Sequence, residues 1–409
     1  YWFPNIRSLP GAIFVLSLTL YPYVYLLTRA VFRELPASGQ DVARSLGLGH
    51  MRQFLRVSLP QARPAIAAGT AIVMMETLND FGTVDYFAVQ TLTTGIFSIW
   101  LESYDPGGAA QLALLAALIV AGLLGVEKIG RRRARFNKSG RQMAPIQLQP
   151  LSSRQGAAVL LYCLVPIGLG FVIPLMVLVA PVVSDLSLWN DSGLWRAAGH
   201  SLALGAASAG LVVMLATVMV LGLQKSPGAW KKSLLTLTTI GYAFPGAVLG
   251  LGILIPLAVF DNWLADLVFA TFRRDPGLLL TGSAGALIVA YCVRFFAIGV
   301  GAAEAGLAAI STNIPLAAST LGRTPKDVAL NIYQPLMRGS LASAMVLVFV
   351  DTVKELPATL LLRPFNFDTL STHVYGQASL ENFHGSTPAA LLIITLSLGA
   401  IFLLAKAHR

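Results

Sequence analysis

The chain has 409 residues, of which 56% are hydrophobic and only 12% charged, with a formal net charge of +10. With a mean hydropathy of +0.71, this exceeds what the core of a soluble domain of that length requires, and a soluble globular protein is excluded. The sequence has no Gly-Lys dipeptide to begin a phosphate-cradling loop, no histidine pair at metal-ligand spacing and no nucleophile motif, so neither catalytic chemistry, a bound cofactor nor a metal is assigned.

Apolar segments of about 20 residues, enough to cross roughly 30 Å of hydrocarbon, fall near 10–33, 64–87, 110–129, 156–183, 198–224, 233–260, 278–300, 339–361 and 387–406. The expected fold is all-α and polytopic, with nine spans. Between the first two spans, Ala43-Arg-Ser-Leu-Gly47 reads as a helix stopped by a left-handed glycine. Met51, Phe54, Leu55 and Val57, set among His50, Arg52, Gln53 and Arg56, read as a second short amphipathic helix. Pro60 then begins the next apolar helix, where its missing N–H is harmless.

The same pattern returns before the eighth span, as Ala318-Ser-Thr-Leu-Gly322 leading to Ile332-Tyr-Gln-Pro335. Gly47 and Gly322 stand at the same separation along the chain as Pro60 and Pro335, so the two intervals superimpose without a gap. A repeat at that spacing implies two halves built alike. The expected division is a first half at 1–129, a basic linker at 130–155 running from Arg131 to Arg141 and on to Pro150, and a second half at 156–409. A charge run of that kind predicts a flexible, solvated cytoplasmic connection. Six spans follow the linker and three precede it, so the repeat predicts a shortened first half of a protein of about twelve spans.

Charge fixes the expected sidedness. With 34–63 cytoplasmic, alternation makes 130–155, 225–232, 301–338 and the C-terminus cytoplasmic too. Those regions and their flanking helix ends hold 22 of the 29 basic residues, in agreement with the positive-inside rule. The basic residues form no aromatic-interleaved patch, so nucleic acid is not an expected partner. Membrane lipid is. Cys163 and Cys292 sit singly in apolar helices and read as packing residues.

Acids within the spans carry more information. Glu76 and Asp80 map, by the offset that relates the two glycines, onto Asp351 and Glu355. Each pair is spaced i, i+4 and shares one side of its helix. Counted from Pro64, Glu76 lies ~18 Å and Asp80 ~24 Å along the helix. Charges at such depth face a cavity or a partner. Two readings stand: the acids pair with basic residues or cap broken helices, as Lys354 beside Glu355 suggests, or the two pairs line a translocation path across a pseudo-twofold axis. Four carboxylates there suit a hard, oxygen-seeking cation and repel an anion. Thr91-Leu-Thr-Thr-Gly-Ile-Phe97 is matched by Thr369-Leu-Ser-Thr-His-Val-Tyr375 at a slightly larger offset, so the second copy carries a short insertion in the preceding loop. Both stretches are expected on the outer side, with His373 and His384 nearby and solvated.

The repeated loop resembles that of importer-type ABC transporter permeases: Glu-Ala-Ala, three residues, Gly, nine residues, Ile-x-Leu-Pro. Asp41-Val-Ala43 stands for its start in the first copy and Leu316-Ala317-Ala318 in the second, which lacks the acid and has Gln334 in place of the Leu. The resemblance implies a MetI-like fold of two helical bundles related by pseudo-twofold symmetry in the bacterial inner membrane. It implies docking of both loops, through Asp41, Ala43, Gly47, Val57 and Pro60 and through Ala317, Ala318, Gly322, Ile332 and Pro335, onto two copies of a separate ATPase that uses the ATP. A periplasmic substrate-binding protein is the further implied partner.

Glu355-Leu-Pro-Ala-Thr359 followed by Arg363-Pro-Phe-Asn-Phe-Asp-Thr-Leu-Ser-Thr372 is similar to the ferric iron permeases with fused halves. Glu76-Thr-Leu-Asn-Asp-Phe-Gly82 followed by Thr93-Thr-Gly-Ile-Phe97 is similar to the first-half signature of that group. Ferric iron is the cargo implied. Thiamine and aminoethylphosphonate permeases share the fused layout and remain alternatives. An ion-coupled secondary transporter also uses repeats and intramembrane acids, but this repeat is parallel, since six spans separate equivalent loops.

Overall fold

The computed structural model describes residues 5–34, 42–133, 151–225, 228–311 and 313–407, and every regular element among them is helical. In chain order the helices begin with α1 (Leu9–Glu34), α2 (His50–Gln53), α3 (Leu59–Asn79), α4 (Gly82–Tyr86), α5 (Leu92–Leu101) and α6 (Pro106–Arg133). Next come α7 (Ser153–Ile167), α8 (Ile173–Ser184), α9 (Ser192–Gly222), α10 (Gly228–Ala243), α11 (Gly246–Phe272) and α12 (Ala284–Ala308). The last six are α13 (Asn313–Thr320), α14 (Pro325–Val328), α15 (Gln334–Lys354), α16 (Pro357–Leu362), α17 (Leu370–Ser379) and α18 (Phe383–Ala407). The protein is an all-α, multi-pass membrane protein.

The repeat extends well beyond the loop that revealed it. The starts of α1 and α12 are separated by the same offset as the two loop glycines, and so are those of α2 and α14, α3 and α15, and α4 and α16. The starts of α5 and α17 follow the larger offset of the Thr-rich stretches. In both copies the short helix runs into the long one through a π turn, Phe54–Ser58 or Ala329–Tyr333. Pro60 and Pro335 explain that widening. A proline ring inside a helix clashes with the carbonyl four residues back, and a π turn makes room for it. The sequence predicts two helices divided at the proline; they are instead one continuous path.

Eight helical stretches among the described residues are long and apolar enough to cross a membrane, against nine expected. The second expected span corresponds to α3, whose 21 residues give the length without the apolarity of the others. Other expected boundaries also move, and the 339–361 segment is among them, since its helix ends at Lys354. The 64–87 segment breaks after Asn79, because the extended Asp80 uses its carboxylate as a local acceptor and competes with the helix. The 233–260 segment breaks at Phe244-Pro245, where the residue before a proline is driven out of helical geometry. The 278–300 segment starts at Ala284, because the N–H groups of Leu279, Leu280 and Thr281 all donate to the fully buried carboxylate of Asp261, at 2.7 to 3.0 Å.

Two compact units emerge, one from residues 1–94 and 114–177, the other from 95–113 and 178–409. The expected halves follow the repeat along the sequence, whereas contacts group α7 with the first unit. There α1 meets the π turn Gly168–Val172 that links α7 to α8, and a Cβ on Gly170 would lie 2.6 Å from the Leu18 carbonyl oxygen. Within the first unit α1 packs along α3, and within the second α12 packs along α15. Two clusters stand out in the second unit's core among the described residues. Leu194, Ala198, Val353, Leu370 and Ala389 form one; Ala216, Val220, Val300, Ala303 and Met337 form the other.

Candidate functional site

The two repeated loops have one geometry. In the first copy the Ala43 carbonyl accepts from Leu48 N at 3.1 Å and the Arg44 carbonyl from Gly47 N at 2.9 Å. In the second, Ala318 accepts from Arg323 N and Ser319 from Gly322 N, both at 3.1 Å. These nested bonds close a helix over a left-handed residue. Gly47 has φ 73° and Gly322 φ 76°, a conformation that costs a side-chain-bearing residue about 1–2 kcal/mol. Ala43 and Ala318 are buried, Val57 and Ile332 half-buried, and Ala317 and Pro335 exposed. Asp41 and residues 134–150, most of the expected linker, lie outside the described residues.

Matched leucines stand out from these loops. Leu46 and its counterpart Leu321 are 74% and 82% exposed, and Leu55 and Leu330 are 51% and 53% exposed. Each loop thus offers the same two apolar side chains on a helix-turn-helix. The second copy lacks the acid at its start, yet Thr324 and Asp327 form a capping box over α14, with Asp327 N donating to Thr324 Oγ1 at 3.2 Å.

The acids lie at equivalent helix breaks. Asp80 and Glu355 are the residues at which α3 and α15 end, both in extended geometry. The Asp80 carboxylate accepts from Thr83 Oγ1 and from Val84 N, each at 3.0 Å. Glu355 Oε1 accepts from Ala358 N at 3.3 Å. In both cases the acid caps the short helix that follows. The backbone carbonyl of each acid accepts a hydroxyl from the later Thr-rich turn: Thr93 Oγ1 reaches Asp80 at 2.8 Å, and Ser371 Oγ reaches Glu355 at 2.7 Å. Thr93 and Ser371 are matched by the larger offset, so the insertion in the second copy leaves this contact in place. The turns close alike as well, with Thr91 N donating to Thr94 Oγ1 at 2.8 Å and Thr369 N to Thr372 Oγ1 at 2.9 Å.

Charge compensation is where the two breaks part. Glu355, buried, has Arg294 Nε 3.1 Å from its Oε2, so its cation is Arg294 and not the adjacent Lys354. Lys354 Nζ lies 2.9 Å from Asp351 Oδ1 instead. Glu76 is half-buried and has contacts of its own. The structure therefore gives Asp351 and Glu355 the paired surroundings that were one of the two readings of these acids. Around Glu355 the polar set is dense: Thr359 Oγ1 donates to its carbonyl at 2.7 Å, and the Tyr291 hydroxyl meets Thr359 Oγ1 at 2.6 Å. A Cβ on Gly246 would sit 2.5 Å from Glu355 Oε1, so only glycine admits the carboxylate there.

Sequence reasoning passed over Arg294 and Tyr291, and it quoted Thr359 without giving it a role of its own. The available signal was a lone guanidinium in the middle of an apolar span. His373 is also corrected: its side chain is 10% exposed, with Nε2 3.6 Å from Asp191 Oδ2, so it is not solvated. The Thr369 turn that places His373 on α17 turns the ring inward. His384 is exposed as expected, and both cysteines are free.

Residues 5–135 match the family described as the binding-protein-dependent transport system inner membrane component. Over 401 residues, 97% of this chain and 76% of the relative, the sequence is 27% identical to the Fe(3+)-transport system permease protein FbpB 2 of Haemophilus influenzae. The chain is similar to binding-protein-dependent permeases along nearly its whole length. The chain is also 26% identical over 133 residues to the sulfate transport system permease protein CysT of Salmonella typhimurium, covering 31% of this chain and 47% of that one. The molybdenum transport system permease protein ModB of Escherichia coli is 26% identical over 134 residues, 30% of this chain and 58% of the relative. A chain of a bacterial alginate ABC transporter aligns with a TM-score of 0.48 at 15% identity, over 61% of this chain and 91% of that one. The chain is a multi-pass protein of the bacterial inner membrane.

Proposed function

We propose that this permease is the membrane subunit of an ATP-driven importer of ferric iron, receiving its cargo from a periplasmic binding protein and docking a separate ATPase through its two repeated loops. The cargo reading is carried by the likeness to an Fe(3+)-transport permease along 97% of the chain. Likeness to the sulfate and molybdenum permeases covers about a third of it. The docking reading rests on two loops of one geometry that present matched exposed leucines. Two copies of one ATPase need two equivalent seats. ATP closes the ATPase dimer, the loops move with it as rigid levers, and the helices open outward; hydrolysis resets them.

A 2-aminoethylphosphonate importer is the second reading, supported by 27% identity over 31% of this chain to the putative transport permease PhnU of Salmonella typhimurium. The acids do not decide between the two, because Asp351 and Glu355 have cations beside them. That Glu76, Asp80, Asp351 and Glu355 border the translocation path belongs to the same proposal. The test is uptake of radiolabelled ferric iron by vesicles carrying the permease, the ATPase and the binding protein. ATP-dependent uptake is expected, with loss of it in the Glu76→Gln, Asp351→Asn double variant at unchanged assembly. Failure of the ATPase to copurify, or uptake of labelled aminoethylphosphonate in place of iron, overturns the assignment.

A further inference from the structure

We infer that Arg294 is a positioning residue for transport: one guanidinium joins two helix interruptions of the second unit so that they move as a single body. The inference rests on the reading of the chain as the permease of an ATP-driven importer. Arg294 lies in the middle of α12 with its side chain 11% exposed. Its Nε is 3.1 Å from Glu355 Oε2, at the break between α15 and α16. Its Nη1 donates at 3.0 Å to the carbonyl of Phe244, at the break between α10 and α11. That carbonyl has lost its helical partner, because the chain leaves the helix at Pro245. A single side chain therefore closes both gaps.

The surroundings show that the pair is built to hold geometry. Gly246, the first residue of α11, packs directly on Glu355 Oε1. Tyr291, one turn before Arg294, bonds Thr359 of α16, and Thr359 in turn bonds the Glu355 carbonyl. Ser371 ties α17 to the same carbonyl. If packing were the only need, apolar side chains of similar volume would fill the space without the cost of burying two charges. A guanidinium instead sets its charge against the carboxylate while Nη1 donates to the Phe244 carbonyl, so one planar group meets both. The equivalent position in the first unit is Thr19, whose hydroxyl turns back onto its own helix at Val15 and Leu16. At the position of Arg294 the first unit therefore carries no guanidinium.

The test uses the full permease with its ATPase and binding protein in vesicles, reading ferric iron taken up per ATP hydrolysed. Arg294→Lys keeps the charge, but a single ammonium on a flexible stem does not span both acceptors. We expect its uptake per ATP to fall several-fold while the amount of assembled complex stays near wild type. Arg294→Met combined with Glu355→Gln removes both charges, and there the ratio is expected to fall at least tenfold. A residue that only stabilises the fold would lower the yield of complex and leave uptake per ATP unchanged; that outcome in Arg294→Lys overturns the inference, whether or not the double variant assembles. A wild-type complex with no iron uptake would instead sink the importer reading, so the two failures are distinguishable.

Discussion

The breaks at Asp80 and Glu355 share a backbone and differ in electrostatics. Each acid ends a 21-residue helix, caps the short helix beyond it and gives its carbonyl to a hydroxyl from the following turn. In the first unit the described partners of the Asp80 carboxylate are neutral, a threonine hydroxyl and a backbone N–H. In the second, Glu355 is buried against Arg294. A duplicated scaffold thus keeps the interruption of the helix and leaves the handling of charge free to diverge. The interruption is the shared requirement, and the ion pair is an elaboration of one copy.

The comparison breaks most readily at Glu355. Glu355→Ala strands the Arg294 charge in a buried site, and such losses typically cost about 3–5 kcal/mol. Asp80→Ala removes a cap whose donors are neutral, worth about 1 kcal/mol. Melting of the purified complex should fall much further in the first variant than in the second. Equal shifts would show that Arg294 is not the source of the asymmetry. Gly246→Ala probes the same contrast from the neighbouring helix. Its Cβ would meet Glu355 Oε1 at 2.5 Å, and overpacking of this kind costs about 1–3 kcal/mol. Combined with Glu355→Ala, which removes the obstructing oxygen, the alanine should add little. Full additivity of the two losses would place the clash elsewhere.

What the sequence made legible follows from what it repeats. Gly47 and Gly322 with Pro60 and Pro335 located the loops, since a left-handed stop and a missing N–H are local requirements that only certain residues meet. The acids were found by the same offset, and Thr93 with Ser371 by a second one. Arg294 escaped because a search for matched residues passes over a position whose counterpart is Thr19. The grouping of α7 with the first unit escaped for another reason: contact between the Gly168–Val172 turn and α1 is set by residues far apart along the chain, and no local pattern records it. The breaks within 64–87 and 233–260 were hidden by hydrophobicity itself, which stays high where a proline or a capping acid interrupts the helix.

The smallest effect sharpens the comparison most finely, because it isolates the part the two copies share. Thr93→Val removes the one described donor to the Asp80 carbonyl, whereas Ser371→Ala leaves the Glu355 carbonyl with Thr359 at 2.7 Å. A typical hydrogen bond contributes about 0.5–1.5 kcal/mol net, and a buried acceptor left without any donor loses more than one that keeps a second. The destabilisation should therefore be larger for Thr93→Val, reversing the order expected at the acids. Hydrogen exchange at the Thr91 and Thr369 turns would report it locally, as faster exchange in the first turn than in the second. If Ser371→Ala loosens its turn more, the second unit depends on the hydroxyl as well as the ion pair, and the two breaks are less alike in backbone support than their geometry implies.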